Sequence, residues 1–495
     1  MHLFNKQLNI AFKLLFAICL SLLSLRLFNT ISFLEPLHVQ TGGAEDTSFI
    51  GIWLIKNGVL GYDHFSKFSV DIENPNIFSL FHYNWLFYHL NSFSIIFLQK
   101  IFYLSDLWLP TIVRVNCFIL SFFSFIIFYK SLNLLNKNKF SIYLSFYLIF
   151  GPLTGFWVIS GKPDIFYIFF EILAIYTILK TKNNHNYLNI TIILILLYLS
   201  WSIKQTSIVT LSSFTFYLLW KKKFNFFIYI IFIFSSFLVL TKILGPNQLF
   251  ESIFWQDGAA ISFNFNHFFK VFLDSISKGL IIYAGLFCIL LKIFFKSNIF
   301  TYFKSLNENQ IFLIIGILFS TSQIFFSFHY GSAVNYYYIF FIYATLFLFS
   351  EINNLMNIKN INRLFISSIY MQIVLIFLVF IGIKGSISPI KYENVNEFRK
   401  CVNGLKAPIL SDHKPYYRMP WITPDNNPIL ITMMYENYIK NLSFKDEPVF
   451  KEVKKGSFET LIIRKKNKYN LENYTLAKNC KSLFGTEVKI YIKNL

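Results

Sequence analysis

Apolar runs of about twenty residues recur along most of the chain, each long enough to cross a ~30 Å hydrocarbon core as a helix. They fall at residues 10–30, 109–129, 140–160, 164–180, 187–203, 206–220, 224–244, 274–295, 309–328, 335–350 and 363–384. The pattern predicts an all-α polytopic membrane bundle of about 11 transmembrane helices. Outer-membrane barrels, whose strands alternate in and out, do not give such runs. A further apolar stretch, residues 78–104, does not fit an alternating path: counted as a span, it would invert every later loop. With His82, Asn84, Trp85, His89 and Asn91 in it, it is expected to lie in the outer interface. A second interfacial helix is expected over residues 46–57, where Phe49, Ile50, Trp53 and Leu54 recur at helical spacing.

The lysines fix the sidedness. Lys130, Lys137 and Lys139, then Lys180 and Lys182, then Lys221 to Lys223, then Lys292, Lys296 and Lys304, and finally Lys359 and Arg363 occupy five connections on one side of the alternating path. The positive-inside rule makes that side cytoplasmic. Lys6 and Lys13 precede the first run, and no small-residue cleavage site follows it. An uncleaved first span with a cytoplasmic N-terminus is therefore expected, in a multi-pass membrane protein. The segments 31–108, 160–164, 203–206, 245–273, 328–335 and everything after about 385 then lie outside. This divides the chain into a transmembrane domain, 1–388, with a long first outside loop, and a small extracytoplasmic α/β domain, 389–495. In the second, ordinary polar composition returns, and short β-like runs occur at 408–410, 460–463 and 488–492. Cys401 and Cys480, the two of five cysteines outside the expected spans, are free to pair in an oxidising compartment.

Composition agrees: the 495 residues are 55% hydrophobic and only 14% charged, which no soluble domain of this length matches. The formal net charge of +20 raises nucleic acid as a partner. The basic residues sit between apolar runs rather than in one patch with interleaved aromatics, so the expected partner is anionic lipid and no nucleic acid.

The cytoplasmic loops are short and bland, whereas the outside edges collect polar residues. Glu45 and Asp46 follow Gly42-Gly43, and a carboxylate there suits either a general base or a first-turn helix acid. Lys162-Pro163-Asp164 opens a span: proline and aspartate are ordinary helix starters, and a lysine on this side is not. Glu171, on the same face about 10 Å deeper, needs a buried partner. Lys204-Gln205 is another outside lysine, free to snorkel or, with Lys162, to neutralise a lipid phosphate. Tyr330, Asn335 and Tyr336, in HYGSAVNYYY from His329, form an aromatic belt or a sugar-contacting surface. There is no phosphate-binding glycine loop, metal spacing or serine elbow.

An acidic pair after the first span, an interfacial segment before the second, KPD at a span start, KQT at the next outside edge and GS..NY late in the bundle resemble the bacterial GT-C integral membrane glycosyltransferases. Within these, the chain is similar to the protein O-mannosyltransferase and aminoarabinose-transferase group over about residues 1–390. The resemblance implies an inverting transferase that takes a sugar from a polyprenyl-phosphate donor, at the outer face, to a glycan or protein acceptor. It implies Asp46 or Glu45 as base, Lys162 and Lys204 on the donor phosphate, and Asp164, Gln205, His82, Asn84, Tyr330, Asn335 and Tyr336 as substrate-binding or orienting groups. No cofactor is required by it. Asp164 is open to orienting Lys162, holding acceptor or binding a divalent cation. Many relatives carry Asp-Glu where this chain has Glu-Asp, and Asp46 is taken as the base. His82-Tyr83-Asn84-Trp85 stands where relatives often have a Tyr-Pro-Pro-Leu-like entry. The alternatives are a transporter or flippase, which predicts functional groups at the midplane, and an O-antigen-type polymerase or ligase, which predicts an arginine-bearing outside loop. The longest loop, 31–108, contains no arginine.

Overall fold

The computed structural model describes residues 2–36, 44–58, 83–181, 186–204, 207–245, 264–296, 299–328, 333–356, 358–383, 390–412, 419–422, 448–464 and 469–494. The helices are α1 (His2–Thr30), α2 (Ala44–Lys56), α3 (Trp85–Phe102), α4 (Leu109–Leu135), α5 (Ser141–Phe150), α6 (Asp164–Thr181), α7 (Tyr187–Ile203), α8 (Val209–Trp220), α9 (Phe224–Leu244) and α10 (Phe265–Lys296). They continue as α11 (Ile299–Ser305), α12 (Glu308–Ile324), α13 (Tyr338–Met356), α14 (Lys359–Ile383), α15 (Tyr392–Val402) and α16 (Pro448–Lys455). Each expected span carries a helix, and among the described residues seven helical segments are long and apolar enough to cross a membrane.

Burial sorts these helices into centre and rim. In the segment Val334–Leu355, which holds all of α13 but its last residue, 83% of the residues along its most apolar stretch are buried, against 11% in α9, where only Ile230, Phe234 and Thr241 are buried. Small residues let neighbours close on α13: a Cβ built on Gly316 of α12 would lie 2.2 Å from the Tyr343 ring.

Two expected spans differ in form. The run at 140–160 is helical only to Phe150, because Gly151-Pro152 follows and a proline disfavours helix at the residue before it. Residues 151–163 are turns and a 3-10 stretch at Gly155–Val158, packed inside protein, which is where non-helical backbone is tolerated at membrane depth. The run at 274–295 is the second half of the longer α10, which kinks at Gly279. Gln372 of α14 holds the kink: its Oε1 accepts from Leu280 N at 2.9 Å and from the Tyr147 hydroxyl at 2.7 Å, and its Nε2 donates to the Ser277 carbonyl at 2.9 Å.

Helix α2 covers the expected second interfacial helix, with Phe49, Ile50, Trp53 and Leu54 all buried. Helix α3 occupies the later part of 78–104, whose first residues, His82 included, lie outside the described set. It buries Phe87, Tyr88, Asn91, Ser92 and Ile95 and exposes Leu90, Phe93, Phe97 and Ile101, an apolar stripe at helical spacing. Asp106, just before α4, gathers the far ends of both: it pairs with Lys56 and accepts from Trp53 Nε1 at 3.3 Å and Gln99 Nε2 at 2.9 Å.

The C-terminal region carries one sheet of β1 (Ile409–Ser411), β2 (Thr460–Ile463), β3 (Tyr474–Lys481) and β4 (Glu487–Lys493) in the order β1-β2-β4-β3. β1 and β2 are parallel, and β4 is antiparallel to both of its neighbours. Alternation places Leu410, Leu461, Ile463 and Tyr491 in one cluster with Val453 of α16, and Ile409, Ile462, Val488 and Ile490 in the main core with Val395, Phe398 and Val402 of α15. Three strands coincide with the expected β-like runs; β3 was not expected. Cys401 and Cys480 form a disulfide with Cα atoms 6.2 Å apart, joining α15 to β3. The other cysteines, Cys19, Cys117 and Cys288, are free and buried.

Candidate active site

The helix ends form two polar groups. One holds the basic connections, tied by Lys221–Glu308, by Lys292 and Gln310 on Glu351 at 2.8 and 2.7 Å, and by Asn138 to Asn353 at 3.1 Å. The opposite group holds the starts of α4 and α6, the end of α7, the segment before α13 and the loop after α1. The candidate residues that fall among the described ones lie in this second group.

Glu45, in the first turn of α2, is fully buried. Both of its carboxylate oxygens accept from Arg114 of α4, at 3.1 Å from Nε and 3.1 Å from Nη2, a forked arrangement. Arg114 also donates to the carbonyls of Phe33 at 2.6 Å and Glu35 at 2.7 Å, so it fastens the loop leaving α1. Glu45 Oε1 accepts in addition from the Gly161 amide at 2.6 Å, one residue before Lys162. A buried carboxylate is tolerable when so bonded, and Glu45 is thereby a tie between three chain segments. Asp46 follows it in the same helical turn; its side chain lies outside the described residues.

The segment from Val158 to Lys162 is latched on α4, where Cys117 Sγ donates to the Ser160 carbonyl at 3.0 Å and Ser121 Oγ to the Val158 carbonyl at 3.0 Å. The Lys162 ammonium sits 3.9 Å from the centre of the Trp157 ring, a cation–π contact in a buried setting. Trp157 is edge-on to Tyr338 at 6.4 Å, and the Tyr338 hydroxyl donates to the Thr154 carbonyl at 3.2 Å. Two residues beyond Lys162, Asp164 Oδ1 accepts from Lys204 Nζ at 2.6 Å and from Asn335 Nδ2 at 3.1 Å. The Lys204 ammonium lies 5.1 Å from the Tyr167 ring centre and 5.4 Å from that of Tyr336. The structure thus joins Lys162, Asp164, Lys204, Asn335 and Tyr336 in one buried polar cluster. Through Gly161 the cluster reaches Glu45 and the helix that carries Asp46.

Asn84 takes a structural place: its amide donates to the Trp201 carbonyl, tying the start of α3 to the end of α7 three residues before Lys204. Gln205, Tyr330 and His82 lie outside the described residues. Glu171 is buried in the bundle and accepts from Ser200 Oγ at 3.3 Å. Among the described residues no three His, Cys, Asp or Glu side chains gather as metal ligands. Arg114 was not among the sequence candidates, although its signal was visible: a single arginine five residues into an apolar run.

No family model matches the chain, and no curated protein sequence matches it. Solved structures do match in fold. ArnT from Cupriavidus metallidurans bound to undecaprenyl phosphate superposes with a TM-score of 0.56 at 9% identity, over 96% of this chain and 97% of that one. The apo state of the same protein gives 0.53 at 8% identity, over 90% of this chain and 92% of that one. The archaeal oligosaccharyltransferase AglB from Archaeoglobus fulgidus, in complex with an inhibitory peptide and a dolichol-phosphate, gives 0.54 at 12% identity, over 93% of this chain and 69% of that one. The chain has the fold of the GT-C type integral membrane glycosyltransferases.

Proposed function

We propose that the protein moves a sugar from a polyprenyl-phosphate donor to an envelope acceptor, a glycolipid, lipopolysaccharide or protein, at the outer face of the cytoplasmic membrane, with inversion. The observation that carries this reading is the contact of Glu45 with the Gly161 amide at 2.6 Å, which brings the helix carrying the acidic pair against the segment bearing Lys162, two residues before the aspartate that holds Lys204. Structures of similar fold hold undecaprenyl phosphate and dolichol-phosphate, which supports a lipid-linked donor here. A donor of that kind keeps its tail in the bilayer, so its phosphate must react at a helix end.

Asp46 takes the acceptor hydroxyl proton as the oxygen attacks the anomeric carbon, and the lipid phosphate leaves with the bonding electron pair. Lys162 and Lys204 stabilise the charge that gathers on that phosphate, so no acid need protonate it. Asp164, itself steadied by the Asn335 amide, holds Lys204 in place, and the Trp157, Tyr167 and Tyr336 rings keep both ammonium groups aligned. Glu45, already bonded to Arg114 and Gly161, has its lone pairs engaged and serves to position the turn that carries Asp46.

The test is purified protein with a panel of radiolabelled polyprenyl-phosphate sugars, scoring release of lipid phosphate. Asp46→Asn is expected to lower release by about 10²–10⁴-fold with unchanged abundance. Wild-type release from the variant would show that Asp46 is not the base, and loss of its abundance would point to a structural carboxylate instead.

A further inference from the structure

We propose that Trp421, far along the chain in the C-terminal region, is a positioning residue of the transfer site, acting through Phe49 and Arg114 on Glu45 and the backbone before Lys162. The inference rests on the function proposed above and adds to it that the C-terminal region helps to build the site.

Trp421 lies in the 3-10 turn Pro420–Ile422 and is completely buried. Its indole N–H donates to the Leu34 carbonyl at 3.1 Å, in the loop between the carbonyls of Phe33 and Glu35 that accept from Arg114. Its ring meets Phe49 edge to face, with centroids 5.5 Å apart at 88°. Phe49 stands one turn after Glu45 on α2, so the two share a face. The Arg114 guanidinium lies 5.4 Å from the Phe49 ring centre. The same ring presses on the backbone before Lys162: a Cβ built on Gly161 would come within 2.1 Å of Phe49 Cε1. Phe49 is therefore a wedge touched by Trp421, by the arginine that holds Glu45, and by the glycine whose amide Glu45 accepts. Arg399 Nε donates to the Ile422 carbonyl and seats the turn, and Ile390 N donates to Glu35 Oε1 at 3.2 Å, a second tie from the C-terminal region to the loop after α1.

Removing the indole takes away one wall of the wedge. Phe49 can then slide toward the vacated space, Arg114 loses its flat support, and the Glu45–Gly161 contact loosens. A shift of about 1 Å at groups that must be aligned costs on the order of 10²-fold in rate. Ground-state binding of a lipid-anchored donor depends far less on that alignment.

The experiment uses the full chain in lipid nanodiscs, with Trp421→Ala, Trp421→Phe and Phe49→Leu. Two readouts are taken: steady-state transfer from whichever polyprenyl-phosphate sugar the wild type uses, and hydrogen exchange of backbone amides. Trp421→Ala should lower kcat by about 10–100-fold with the donor KM within about twofold. Trp421→Phe, which keeps a ring edge on Phe49, should recover most of the loss. Combining Trp421→Ala with Phe49→Leu should cost little beyond either change alone. Exchange should quicken at residues 33–36, 44–56 and 159–162 and stay unchanged across α7. Wild-type kcat together with wild-type exchange in Trp421→Ala would overturn the proposal, and so would a rise in KM with kcat preserved. If the wild type turns over no donor, the transferase reading fails and exchange alone decides: quickened exchange in those three segments upholds the coupling, and unchanged exchange ends it.

Discussion

Arg114 and Glu45 show how a charged residue inside an apolar run is to be read. An isolated guanidinium there would be costly, and the forked carboxylate with two backbone carbonyls removes the cost by satisfying its donors. The sequence pointed to a special role for the acidic pair, with Asp46 taken as the base, but left Glu45 without a partner. Only the fold, by bringing position 114 beside position 45, shows Glu45 to be a tied carboxylate. Arg114→Met should destabilise the protein by about 3–5 kcal/mol, because it leaves a buried carboxylate unpaired. Adding Glu45→Gln should return part of that loss, since the amide oxygen still accepts from Gly161; thermal unfolding in mild detergent reads both. Glu35 gives a pH effect of opposite sign to an ordinary ion pair. Burial holds its carboxyl above the usual range, despite the Ile390 amide and the nearby Arg114 favouring the charged form. The folded state therefore binds the proton more tightly than the unfolded chain, so the protonated carboxyl favours the fold at low pH and stability falls as pH rises through the raised value. Glu35→Gln should melt higher than wild type at pH 8, and the difference should close as pH falls below the ordinary carboxyl value of 4.5.

At the scale of elements, legibility followed the strength of the apolar signal. Spans with an uninterrupted run were placed on their helices, since burial and lipid contact ask for the same side chains, although α1 and α10 begin eight and nine residues before the expected runs at 10–30 and 274–295. The run at 140–160 was readable as apolar but not as half helix and half folded segment, and Gly151-Pro152 is the local cause. β3 was illegible for the opposite reason. As an edge strand it buries Tyr474 and Cys480 and exposes the five residues between them, so it has no alternation to detect. That leaves the strand held by β4 on one side, and by the disulfide from Cys480 to α15. The bridge closes a sequence separation of 79 residues, which the chain-entropy account values at about 4.5 kcal/mol. Cys401→Ser should accordingly release β3 first: amides of 474–481 should exchange much faster, while those of β2, buried along its whole length, change little.

At the scale of the whole molecule, sidedness decides whether the buried lysines can meet a lipid phosphate at the outer face. Two independent features bear on it. Among the described residues, the basic connections after α4, α8 and α10 are tied to one another through the end of α13, and the positive-inside rule assigns that end of the bundle to the cytoplasm. The Cys401–Cys480 disulfide belongs to the region whose Ile390 and Trp421 fasten on the loop at the other end, and disulfides persist in oxidising compartments. The free cysteines Cys19, Cys117 and Cys288 are all buried, so a single introduced thiol can report its side against a quiet background. Lys137, exposed in the connection between α4 and α5, and Lys451, exposed on α16, suit the purpose at opposite ends. In intact spheroplasts a membrane-impermeant maleimide should label Lys451→Cys at once and Lys137→Cys only after permeabilisation. The reverse pattern would place the Lys162 and Lys204 cluster on the cytoplasmic side, where the proposed donor geometry and the disulfide would both lose their footing.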